Sequence, residues 1–117
     1  MAEDWARPVV HWEIRARDTA AIRDFYSRMF NWEIGDGRVM NIPAGVGGPE
    51  AGPAGHIIAS ETPRVVLYIQ VRDLRESLDR AAELGGEVTR QPIDLPGGPT
   101  IAGIADPEGN PLVLVQQ

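Results

Sequence analysis

The chain has 117 residues, enough for one domain and too few for two ordinary ones. Its 17 acidic and 11 scattered basic residues give a net charge of −6, which argues against nucleic acid or an anionic membrane as partner. It has no cysteine, which excludes disulfides and thiolate metal sites and suits a reducing, cytoplasmic setting. No segment approaches the ~20 apolar residues of a membrane span, and residues 1–10 lack the apolar run of a signal peptide.

Val9 to Arg15 alternates as a half-buried strand does, with Val10, Trp12 and Ile14 on one face and Val9, His11, Glu13 and Arg15 on the other. Asp18 reads as a helix N-cap. Ile22, Phe25, Tyr26, Met29 and Phe30 follow at helical spacing as one apolar stripe. Short strands are expected at Trp32–Ile34, Arg38–Ile42 and Gly55–Ser60. The Gly- and Pro-rich stretch from Pro43 to Gly55 is expected to be a loop, with a lid over a ligand as its functional reading.

The pattern then starts again. Val65–Val71 is a strand, and Asp73 with Glu76 forms a capping box. Leu74, Leu78, Ala81 and Ala82 form a second apolar stripe, which Gly85-Gly86 ends. Glu87–Thr89, Thr100–Ala105 and Leu112–Val115 read as strands, with a type I turn at Asp106-Pro107-Glu108-Gly109 before the last. His11 precedes Asp18 by seven residues, as Val66 precedes Asp73, and the two caps are 55 apart. Each half therefore reads strand, helix, three strands. The expected fold class is α+β: two βαβββ modules, about 8–60 and 64–117, in a single domain over 1–117, forming a curved mixed sheet with a concave cavity.

The residues that follow these elements carry a resemblance. Phe25-Tyr26 with Phe30-Asn31-Trp32-Glu33-Ile34, Tyr68-Ile69-Gln70-Val71-Arg72-Asp73-Leu74, Ala82-Glu83-Leu84-Gly85-Gly86 and Asp106-Pro107-Glu108-Gly109-Asn110 together resemble the vicinal oxygen chelate superfamily. This is the group of glyoxalase I, bleomycin-resistance proteins and extradiol dioxygenases, and the nearest likeness is to its glyoxalase-like branch. The likeness runs from about Val9 to Gln117. It implies one divalent metal on the concave sheet, held by His, Glu or Gln from the first and last strands of each half. His11 occupies the first of these places, and His56 is the candidate for a second. Val66 and Val113 fall where the other two ligands belong, and an aliphatic side chain cannot hold a hard cation.

Two readings from different classes stay open. The first is a protein that binds a small organic molecule without a complete metal site or other cofactor, in a cavity lined by His11, Glu13, Arg15, Tyr68 and Gln70. The second is a divalent-metal-dependent lyase, isomerase or dioxygenase that uses His11 and His56 with Zn, Ni, Fe or Mn. A metal-free enzyme with Glu13 or His11 as base lies between them. Glu13 and Arg15 could also simply pair with each other. The resemblance further implies a homodimer.

Overall fold

Alternation and capping place most elements of the computed structural model, which describes residues 6–44 and 52–117. Two compact units divide the chain, His11–Val66 and Leu67–Gln117 with Met1–Val10. The fold is α+β, with seven strands and two helices among the described residues. Neither helix is long and apolar enough to cross a membrane.

In the unit His11–Val66, β1 (Val9–Ala16) leads into α1 (Thr19–Phe30), followed by β2 (Val39–Ile42) and β3 (Gly55–Ala59). The Asp18 carboxylate accepts from Ala21 N at 3.0 Å and caps α1 as expected. β3 pairs parallel with β1 and antiparallel with β2. The core is Ile14, Ala16, Ile34, Met40, Ile42 and Ile57, with Trp12, Ile22, Tyr26 and Trp32 packed against it. The apolar stripe of α1 is split. Ile22 and Tyr26 face this core, whereas Phe25, Met29 and Phe30 are half or more exposed. Tyr26 stacks on Trp32 at 5.5 Å, and Trp32 lies 5.5 Å from Trp12. These rings fill the space under the helix that Met29 and Phe30 would otherwise take.

The strand expected at Trp32–Ile34 does not form. Asn31 ends α1 in the left-handed region, at φ 60°. The Ile34 carbonyl is then taken by the Arg23 guanidinium, at 3.0 Å from Nε and 2.8 Å from Nη2. One backbone bond, from Gly35 N to Asn41 O, ties the segment to β2. The first half is therefore strand, helix and two strands among the described residues.

The other unit contains β4 (Arg64–Val71) from Leu67 onward, α2 (Leu74–Glu83), β5 (Glu87–Asp94), β6 (Thr100–Ala105) and β7 (Pro111–Gln116). β7 pairs parallel with β4 and antiparallel with β6, which pairs antiparallel with β5. Val71, Leu74, Leu78, Ala102 and Leu114 form its core. Asp73 caps α2 through Glu76 N at 3.0 Å. The Gln116 amide adds to that cap, accepting from Leu74 N and donating to Arg72 O. Gly85, at φ +94°, reverses the chain after α2, and Gly86 N reaches back to Ala81 O. β5 runs past the expected Thr89 to Asp94, with register shifts that flank Arg90 and leave Pro92 out of the Cα pairing. The expected turn forms, with Gly109 N donating to Asp106 O. The side chain and backbone of Asn110 and the N–H groups of Glu108 and Gly109 hold the Asp106 carboxyl below its ordinary range.

Gly55 has a specific reason to be glycine. Its Cα faces the Trp12 indole, its partner across β1 and β3, and a Cβ there would sit 2.3 Å from the ring. The same indole donates from Nε1 to Pro53 O at 2.8 Å. Gly55→Ala is therefore expected to destabilise the protein by about 1–3 kcal/mol, the usual penalty of overpacking, measured by urea unfolding followed by far-ultraviolet circular dichroism. An unchanged midpoint would show that the indole can move aside freely.

Candidate functional site

Alternation along β1 puts His11, Glu13 and Arg15 on one face. The parallel register pairs Glu13 with His56, so the imidazole emerges from β3 beside the carboxylate. The four side chains form a line. Arg15 Nε donates to Glu13 Oε2 at 2.5 Å, Glu13 Oε1 lies 2.9 Å from His56 Nε2, and His56 Nδ1 lies 2.8 Å from His11 Nε2. Glu13 is 5% exposed and His56 8%, so both are buried polar groups that require partners. Among the described residues no buried side-chain nitrogen or oxygen lacks one.

The carboxylate fixes the direction of the hydrogen bonds. It can only accept, so His56 donates from Nε2. With a neutral ring, His56 then accepts at Nδ1 from the Nε2–H of His11. Burial lowers the His11 pKa from 6.5, the neighbouring His56 lowers it further, and Glu13 partly opposes both. His11 is accordingly neutral at pH 7, as this pattern requires.

The structure joins four of the expected site residues, His11, Glu13, Arg15 and His56, and Glu13 does pair with Arg15. Tyr68 and Gln70 lie half-buried on β4, in the other unit, where Gln70 N donates to Pro8 O. Residues 45–51, most of the stretch expected to be a loop and read either as a lid or as a plain connection, lie outside the described residues. The direct pairing of Glu13 with His56 is not visible in the sequence. It depends on a parallel register between strands some forty residues apart, and no local signal announces that register.

A divalent metal does not fit these donors as arranged. Both ring nitrogens of His56 and both oxygens of Glu13 are engaged within the line, so the lone pairs do not converge on a point. No group of three or more His, Cys, Asp or Glu among the described residues is placed to hold an ion. Val66 is fully buried and Val113 half-buried, and both are aliphatic.

The two-helix, mixed-strand architecture is the fold of the glyoxalase, bleomycin-resistance and dioxygenase group. The chain belongs to the glyoxalase-like domain family, whose model matches residues 11–115. No curated protein matches it. Several solved structures share its fold. A hypothetical protein from Bacillus halodurans superposes with a TM-score of 0.66 at 12% identity, over 97% of this chain and 96% of that one. A glyoxalase/bleomycin resistance protein/dioxygenase superfamily member from Vibrio splendidus gives 0.66 at 15% identity, over 96% and 100%. Methylmalonyl-CoA epimerase from Mycobacterium tuberculosis gives 0.61 at 15% identity, over 92% and 86%. At such identities these likenesses establish the fold alone.

Two outcomes test the line of side chains. Glu13→Ala leaves His56 and Arg15 without their buried carboxylate and is expected to cost about 3 kcal/mol. Arg15→Gln leaves the buried carboxylate with His56 alone and is expected to cost less, about 1–2 kcal/mol. Denaturant unfolding of both variants measures the difference. The second outcome concerns pH. The folded state holds His11 with a pKa below 6.5, so between the two values the unfolded chain binds more protons. Stability is therefore complete above about pH 6.5 and declines as pH falls below it. The melting temperature should drop between pH 7.5 and 5.5, and it should drop less in His11→Gln.

Proposed function

We propose that the protein binds a small organic molecule bearing a carbonyl or carboxylate oxygen, through the His11–Glu13–Arg15 row and without a metal ion. The observation that carries this reading is that His56 and Glu13 are spent on their neighbours. They act as a fixed, dry support for the two less buried members of the line. The Nη groups of Arg15 have no partner among the described residues, and a planar guanidinium suits a ligand oxygen. Glu13 already balances Arg15, so a cationic ligand would find no spare carboxylate in this row. The reading includes a homodimer, as the resemblance noted from the sequence implies, in a reducing cytoplasm, which a chain without cysteine suits. Sedimentation as a monomer at micromolar concentration would remove the dimer from it.

Metal analysis of the purified protein separates this reading from a divalent-metal lyase, isomerase or dioxygenase. The expected result is no stoichiometric Zn, Ni, Fe or Mn after dialysis or after reconstitution. One equivalent retained by the protein and lost in His56→Ala would overturn the proposal. A thermal-shift screen of small oxo and carboxylate compounds that lack an alkyl chain should then raise the melting temperature of the parent protein, and Arg15→Gln should abolish that rise.

A further inference from the structure

We infer that the unit His11–Val66 carries a second binding site, for a small organic anion with an apolar chain, on the face of β1 opposite the His11 row. A cavity of about 500 Å³ opens there, between β1, α1 and residues 63–65. Ligand sites commonly fall within about 300–1,000 Å³. Ile14 and Ala16 from β1, Ile22 and Tyr26 from α1, and Val65 give it an apolar wall. Strand alternation turns Ile14 and Ala16 away from Glu13, and they pack with the α1 side chains instead. Val65 is 62% exposed, so part of this apolar surface lies open to water.

The charge at this cavity runs against that of the chain. In a protein of net charge −6, the exposed Arg17 and Arg64 both line it. Neither guanidinium has a hydrogen bond or ion pair among the described residues. Arg15 also borders the cavity, but its Nε is committed to Glu13. Asp18 is the only acidic residue in the lining, and its Oδ1 is held by the amide of Ala21. Two unpaired guanidinium groups beside an apolar wall suit a carboxylate on a short hydrocarbon chain. The planar forks take the carboxylate oxygens and the wall takes the chain. An inorganic anion would leave the apolar surface wet, and an alkyl cation would meet the wrong charge.

Octanoate is the probe, titrated into the full-length protein by isothermal calorimetry. The expected result is saturable binding, with octylammonium at least tenfold weaker and inorganic phosphate without effect. Arg17→Gln and Arg64→Gln should each weaken octanoate about tenfold, the loss expected for one charge-assisted hydrogen bond. Both substitutions lie at exposed positions, so the variants should keep the parent melting temperature. His11→Gln should bind octanoate as the parent does, and Arg15, which borders both sites, is unchanged in all of these variants, so loss of octanoate in the Arg17 and Arg64 variants reports on this site and not on the His11 row. The inference is overturned by an absence of saturable binding up to millimolar octanoate, by equal binding of octylammonium, or by unchanged affinity in the double arginine variant.

Discussion

A carboxylate buried between two parallel strands is the constraint on which the unit His11–Val66 depends. Glu13 is nearly sealed from water, and an uncompensated charge there would be severely destabilising. Its compensation comes from Arg15 on its own strand and His56 on the neighbour, and the second requires a single register. If β3 slipped by one residue one way, Gly55 would stand opposite Glu13 and leave the carboxylate without its imidazole; slipped the other way, His56 would stand opposite Trp12, where only a glycine fits. The ring fits only against a glycine, and the carboxylate needs the imidazole. Electrostatics on one face and sterics on the other thus select the same alignment.

That alignment also decides what the polar row can do. Metal ligands must aim their lone pairs at a common point, whereas here they are joined end to end. The difference is one of direction rather than composition, because two histidines and a glutamate would satisfy a count of ligands. A line of satisfied groups is stiff, and it sets the position and proton of its terminal imidazole before any ligand arrives.

Much of this was legible in the sequence. The alternation of β1 placed His11, Glu13 and Arg15 on one face, and Asp18 and Asp73 marked both helix starts, because alternation and capping act within a few residues. The failures have longer-range causes. Trp32–Ile34 has the composition of a strand, but Arg23 takes the carbonyl of Ile34 from eleven residues away. β5 continues beyond Thr89 because β6 offers it a partner across a bulge, although Pro92 suggests an end. In the site, His56 could be named from its type, but its place beside Glu13 depends on strand pairing. The stripe on α1 showed which residues are apolar without showing that tryptophans occupy the ground beneath part of it.

The aromatic chain under α1 has a spectroscopic consequence. Trp12, Tyr26, Phe30 and Trp32 lie ring against ring in one unit, with centroids 5.2–6.1 Å apart along the series. Beyond residue 66 the only aromatic residue is Tyr68. With Trp5, which lies outside the described residues, changed to phenylalanine, tryptophan emission and near-ultraviolet dichroism would report chiefly on His11–Val66. Backbone dichroism would report on both units. Coincident transitions would mean that the two units melt as one cooperative body, and separated transitions that each unit melts on its own. The placement of a few rings thus turns a repeated architecture into one whose halves are optically distinguishable.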